Sequence, residues 1–188
     1  GRLPVTSPPP LFIPMPSNKK PRKKYTPRPV LADPLGYVMK SMKPITAHDS
    51  YLLDLKLRNH AALSMLLKGQ AKKREIDDLI AMHNIQEAIR RMIKQRVITD
   101  LPIELDSSTL IRGKCALLDL GHRGAQTGNF VCRAPEIQAL NDLMQMHDEL
   151  MSLITVGHME RAIAFARREI VCKRAEVIND YIPQGIAA

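Results

Sequence analysis

Two apolar stripes that meet at a four-residue junction constrain this chain more than any other feature. Ile137, Leu140, Met144, His147, Met151 and Ile154 recur at alternating spacings of three and four, and Leu143 and Leu150 widen the same face. Met159, Ala162, Ile163, Ala166, Ile170 and Val177 repeat the pattern downstream. This periodicity is helical. Only Ile154-Thr155-Val156-Gly157 joins the two stripes. Thr155 is suited to cap the second helix by accepting from its free amides, and Gly157 relieves crowding at a sharp reversal. Amphipathic helices this close in sequence fold back antiparallel or cross steeply. The stretch from 135 to 178 is therefore expected to be the centre of the fold. Leu140, Met144 and Met151 are expected to be buried against Ile163, Ala166 and Ile170.

The rest of the composition agrees with helices. Trp is absent and aromatics make up 4% of the 188 residues, so the core must be Leu, Ile, Met and Ala. That palette suits helices better than sheets. The length suffices for one domain with a real core. No apolar run approaches the roughly 18 residues that span a bilayer, so a membrane role is not expected. Leu11-Phe12-Ile13 is too short for a signal-peptide core, and the lysines follow it instead of preceding it. Cys115, Cys132 and Cys172 are odd in number and lack framework spacing, which points to reduced thiols in a cytoplasmic protein.

Charge divides the chain in two. Residues 1–30 carry seven Lys or Arg and no acid, +7 of the total +9; the remainder holds 21 basic and 19 acidic side chains, a net of +2. The cluster Lys19, Lys20, Arg22, Lys23 and Lys24, with Arg28 beyond it, is interrupted by prolines. Like charges at this density repel, and Pro21, Pro27 and Pro29 block helix. Residues 1–30 are thus expected to form a disordered Pro-rich and Lys/Arg-rich arm that contacts DNA or RNA phosphates. Each neutralised phosphate would release a counterion. The composition also fits a nuclear localisation signal, or a solubilising terminus with no specific partner. Residues 1–14, with five prolines and no helical pattern, look foreign to the domain, as an upstream in-frame extension or an expression remnant would.

The helical domain is expected over residues 31–180, with a flexible C-terminus at 181–188. Asp33-Pro34 is a helix start signal, and a short helix through Leu35, Val38, Met39 and Met42 would stop before Pro44. Thr46 and Asp49 resemble a capping box opening a helix over 46–68 with Gly69 as its stop. Leu52, Leu55, Ala62, Leu63 and Leu66 form its apolar face, with His48 and Asn59 near the centre. A buried Asn59 must find hydrogen-bond partners, which fixes register or lines a site. The next helix, 72–96, turns Ile76, Leu79, Met82, Ile85, Ile89, Met92 and Ile93 inward. Its Asp77 and Asp78 near the start and Arg90, Arg91, Lys94 and Arg96 near the end complement the helix dipole. That reading is preferred to a nucleic-acid face. Residues 97–108 offer two apolar scraps too short for a sheet. Ser107 or Ser108 caps a fourth helix through Leu110, Ala116, Leu117 and Leu120, which is expected to end at Gly121-His122-Arg123-Gly124. A loop over 125–134 then leads to Pro135.

Three clusters have the residue types of a site. Gly121, Gly124 and Gly128 with Arg123 suggest a phosphate cradle, but the spacing matches neither nucleotide-binding pattern, and a helix C-cap explains the glycines better. Cys115, His122 and Cys132 lack the paired spacing and fourth ligand of structural zinc, so no metal or other cofactor is expected. His147-Asp148-Glu149 is the most enzyme-like. Adjacent helical residues point about 100° apart, however, so His147 faces inward while Asp148 turns to the edge. His158 and Glu160 diverge in the same way. No Ser or Cys nucleophile is paired with a base in the sequence pattern. His147 reads as a hydrogen-bonded core residue or a polar residue at a helix seam.

Leu53-Asp54-Leu55-Lys56-Leu57-Arg58-Asn59-His60-Ala61-Ala62-Leu63, the Arg123-Gly124 turn, His147-Asp148, Leu153-Ile154-Thr155-Val156 and Met159-Glu160-Arg161-Ala162 resemble small uncharacterised helical proteins of bacteriophages and of prophage or plasmid regions of bacteria. The resemblance covers roughly residues 17–175. It implies a bacterial or phage cytoplasm, which argues against a nuclear role for the lysines, and it supplies no catalytic residue. The expected molecule is all-α: a single compact helical domain of about five helices with a disordered basic N-terminal arm. Its expected function is non-enzymatic. The body docks a protein partner or a second copy while the arm contacts nucleic acid. The alternative is a regulator or inhibitor of a host protein whose basic tail is incidental.

Overall fold

Eight consecutive residues, Met82 to Ile89, are buried, which covers two full turns of helix on every side. A helix buried all round lies at the centre of its domain. The computed structural model describes Met42 and residues 50–179, and the central helix is the second of five. The elements are α1 (Ser50–Leu67), α2 (Lys73–Lys94), α3 (Ser107–Thr127), α4 (Ala134–Leu153) and α5 (Val156–Val171). The all-α class is as expected, and no strand occurs among the described residues. No helix among them is long and apolar enough to cross a membrane. The basic arm, the expected short helix over 35–42 apart from Met42, the Thr46–Asp49 capping box with His48, and residues 181–188 lie outside the described residues.

Helices α1, α3 and α5 all pack on α2, while α4 packs chiefly on α3. The core is Leu, Ile, Met and Ala, joined by Phe130 between α3 and α4. The expected α4–α5 hairpin is therefore corrected. Its two helices are adjacent in sequence but pack on different neighbours. Ile154 and Thr155 are both extended, with ψ of 154° and 166°. Two extended residues in a row carry α5 away from α4 and across to α2. Leu140, Met144 and Met151 are buried, but not in a seam with α5. Ala166 is buried, Ile163 only half-buried, and Ile170 exposed. Glu169 takes the inward position instead, because Arg91 of α2 reaches it with a guanidinium N–H. Thr155 does cap α5, its hydroxyl accepting from His158 N at 3.3 Å.

Helix α3 is also longer than its glycines suggest. It does not end at Gly121 but runs to Thr127, closed by Gly128 at φ +74° with its N–H bonded to Gly124 O. The glycines serve packing. A Cβ on Gly124 would lie 2.1 Å from the Phe130 ring, and one on Gly113 would lie 2.9 Å from Leu143 Cδ2 of α4. The N-cap is Asp106, not Ser107 or Ser108. Its carboxylate accepts from the Ser108 and Thr109 amides at 3.0 and 2.9 Å and from both of their hydroxyls. Those bonds hold the carboxyl well below the usual carboxylate range. α1 stops as expected, with Gly69 at φ +67°. α2 and α5 end without glycine. Arg96 and Lys173 adopt φ of 56° and 51°, and the next amides, Val97 and Arg174, bond back to Met92 and Glu169 carbonyls.

Gly124 makes a prediction whose sign decides between two effects. Helix propensity alone would let Gly124→Ala stabilise α3 by about 1 kcal/mol. The clash with a rigid ring should reverse this and destabilise by about 1–3 kcal/mol, as overpacking does. Denaturant unfolding of the variant measures it; a gain in stability would contradict the packing role.

Candidate functional site

Three clusters stand out among the described polar groups, and the first lies where α1 crosses α4. Asn59 and His147 are both buried, and Asn59 Nδ2 lies 3.3 Å from His147 Nε2. The sequence pattern placed both on inner faces, and the structure brings them together. With Asn59 donating to Nε2, the ring carries its proton on Nδ1. Nδ1, Asn59 Oδ1 and Gln86 Oε1 have no hydrogen-bond partner among the described residues. Gln86 of α2 makes a long 3.5 Å contact from Nε2 to Leu143 O, one turn before His147. Burial pushes the His147 pKa down to about 4, outweighing the nearby Asp148 charge, and His60 and Lys56 push the same way.

Asp148 turns outward, as the 100° rotation requires, and lies 3.0 Å from His60 Nε2 and 3.3 Å from Lys56 Nζ. Burial opposes its ionisation, but these two donors outweigh it and hold the carboxyl below its ordinary value. The His60–Asp148 pair was not foreseen, because 88 residues separate its members. Among the described residues no Ser hydroxyl or Cys thiol bonds to either the His60 or the His147 ring. The arrangement is an ion-pair lid over a neutral buried pair. It can join α1 to α4.

The second cluster sits on α2. His83 Nδ1 lies 3.2 Å from Asn84 Oδ1, and its Nε2 lies 3.2 Å from Leu110 O. Both neighbours are acceptors, and a neutral ring has only one N–H to offer. Burial pushes the ring toward the neutral form despite Asn84, Leu110 and Glu87, with Lys114 adding to the effect. Asn84 cannot flip to relieve this without breaking two bonds to Ile178, one to its carbonyl and one from its amide.

The third cluster is the basic end of α2. Arg90 donates twice to Glu87, at 2.8 and 2.7 Å. Arg91 pairs with Glu169 and Glu176 and lies over the Phe165 ring, with Arg168 over the same ring. Lys94 and Arg96 are exposed beyond them. Arg90 and Arg91 are thus engaged with acids of the body. Arg123, singled out beside the glycines, makes a bidentate pair with Glu136 at 2.6 Å for both bonds and also donates to Val131 O. Burial of Glu136 opposes ionisation, but Arg123 and the Arg133 amide outweigh it and lower its pKa. The guanidinium is committed to closing the α3–α4 loop and does not face a phosphate cradle.

The zinc candidates do not assemble: no group of three or more metal-ligating side chains occurs among the described residues. Cys115 and Cys172 are exposed thiols, and burial pushes the Cys132 thiol up to about 11. His158 uses its ring at home, with Nδ1 accepting from Thr155 N at 3.3 Å and Nε2 lying 3.2 Å from Asp100. The expected nucleic-acid contacts Lys19, Lys20, Arg22, Lys23, Lys24 and Arg28 lie outside the described residues. No family model, no curated protein and no solved structure matches this chain.

His147 gives a pH prediction. Its folded pKa is depressed to about 4 from 6.5, so the unfolded chain binds the extra proton between those values. The stability tied to the neutral ring is complete above about pH 6.5. It falls as pH drops toward 4 and levels off below, a loss on the order of 2–4 kcal/mol. Subtracting the denaturant-unfolding profile of His147→Gln from that of the unaltered chain should leave this curve. A flat difference between pH 7.5 and 4.5 would rule out a neutral buried His147.

Proposed function

We propose that this chain is a non-enzymatic accessory protein of phage or mobile-element biology. Its helical body pairs with a second copy along α1, and its basic arm contacts nucleic acid. The observation that carries this reading is an uncovered leucine seam. Leu53, Leu57 and Leu67 of α1 are 56%, 59% and 48% exposed, while Asn59, Ala62, Leu63 and Leu66 of the same helix are buried. With His60 and Ser64 between them, these positions follow spacings of four, three, four and three. That is the spacing of a seam that meets another helix knob into hole. A seam centred on His60 is self-complementary. An antiparallel copy brings Leu53 beside Leu67 and sets Asp54 near Lys68, opposite in sign.

Charge supports the second half of the reading. Many basic side chains of the body face acids: Arg58 with Asp78, Arg90 with Glu87, Arg91 with Glu169, Arg112 with Asp142 and Arg123 with Glu136. The unbalanced charge of the chain belongs to residues 1–30. Two copies would present two arms, and linked arms bind a polyanion with higher effective concentration than one.

The seam is tested by sedimentation equilibrium of the full chain and of Leu57→Glu. A dimer that the substitution converts to a monomer of unchanged helicity is expected; a monomeric unaltered chain would refute self-pairing. For the arm, Lys19, Lys20, Arg22, Lys23 and Lys24 are replaced by Gln. The log–log salt slope of nucleic-acid binding should then flatten by up to about 0.7–0.9 for each phosphate that is no longer neutralised. An unchanged slope would remove the arm from the interface.

A further inference from the structure

Residues 174–179 follow the last helix and are held in an unusual way. They begin at a joint, since Lys173 sits at φ +51°, where a side chain costs about 1–2 kcal/mol. Part of their hold is on main chain. Asn84 Nδ2 donates to Ile178 O at 2.9 Å, and Asn84 Oδ1 accepts from Ile178 N at 2.8 Å, so one carboxamide satisfies both backbone groups of one residue. Lys114 Nζ donates to Ala175 O. Side chains add the Glu176 contact to Arg91 at 3.6 Å and the burial of Val177 and Ile178.

Two pockets open to solvent flank the segment. A cavity of about 270 Å³ lies on one flank, lined by His83, Leu110, Ile111, Ala175 and Glu176. On the other flank is one of about 590 Å³, lined by Leu118, Ile170, Val177 and Ile178. Ile111 and Ile170 are exposed there. Ile178 reaches the core, yet both flanks of the segment stay open to solvent, as they do for a peptide lying in a surface groove.

We infer that the groove between α2, α3 and α5 is a docking site for a short peptide carrying an acidic residue followed by two β-branched apolar residues, and that residues 174–179 occupy it in cis. Each element of recognition has a residue behind it. Asn84 grips any backbone at the last position, and Arg91 selects the acid. The buried sites of Val177 and Ile178 select the β-branched pair. A partner in trans competes with the chain's own segment, so its apparent affinity is reduced by the fraction of molecules in which the groove is open.

The probe is a labelled peptide of residues 174–181, titrated into the full chain, into Ile178→Ser and into Ile178→Ser with Asn84→Leu. Ile178→Ser loosens the segment in cis and should bind the peptide at least about tenfold more tightly than the unaltered chain. Adding Asn84→Leu should abolish that gain. Equal binding by the first two chains, or none by either, would overturn the proposal. So would collapse of the whole bundle in Ile178→Ser, since it would mark 174–179 as ordinary core. Thermolysin treatment of the unaltered chain decides independently. A releasable segment is cut before Val177 or Ile178 while α1–α5 stay intact, because it opens locally. Cutting there only at the rate of global unfolding would refute it.

Discussion

The fold depends on a helix that is buried on all sides although its sequence is polar on one of them. His83, Asn84, Gln86 and Glu87 are as buried as Leu79 and Ile89. A buried polar group without a partner costs about 1–3 kcal/mol, so α2 can be central only if its neighbours supply partners. Glu87 is answered within α2 itself by Arg90, while from outside the helix Ile178 answers Asn84 and the Leu110 carbonyl faces His83. Among the described residues Gln86 is answered on its amide side, by the Leu143 carbonyl, and not on its oxygen. These contacts bring α3, α4 and the C-terminal segment to the same two turns. Apolar packing supplies the bulk of the cohesion, and the polar residues fix which neighbour goes where.

This also explains which parts of the fold could be read in the sequence. Helix positions follow from apolar periodicity: α1, α2 and α4 lie close to where the pattern puts them, whereas α3 runs on to Thr127 and α5 stops at Val171, short of Val177. Gly69 stops α1 and Thr155 caps α5, as their residue types suggest. Periodicity, however, identifies a face and not the partner of that face. The cleanest stripes belong to α4 and α5, yet α5 crosses to α2 because Ile154 and Thr155 are extended and Arg91 captures Glu169. The polar half of α2 reads as solvent-facing until its partners are known, and these lie far away in sequence: Ile178 is 94 residues from Asn84. Glycine misled for a different reason. Gly121 and Gly124 look like a helix stop, but Gly124 makes room for Phe130, and no local signal separates the two uses.

Among the candidate sites, Asn59 and His147 were legible as inward residues, and the rotation between His147 and Asp148 foretold their separate fates. The His60–Asp148 pair and the Asn84–Ile178 clasp were not, since each depends on tertiary contact alone. What emerges is a body with many of its charges paired internally. Its exposed surface includes an apolar seam on α1, and most of the chain's charge excess, +7 of +9, resides in residues 1–30. In the proposed reading, polyanion attraction therefore falls to residues 1–30 and self-association to α1.

The central claim, that α2 and not the α4–α5 junction organises the domain, is tested most directly by native-state hydrogen exchange across the whole chain. Amides from Met82 to Ile89 should exchange last and only through global unfolding, with those of α4 and α5 opening at equal or lower free energy. If the slowest amides instead lie between Met144 and Met159 while α2 exchanges by local opening, the account is wrong.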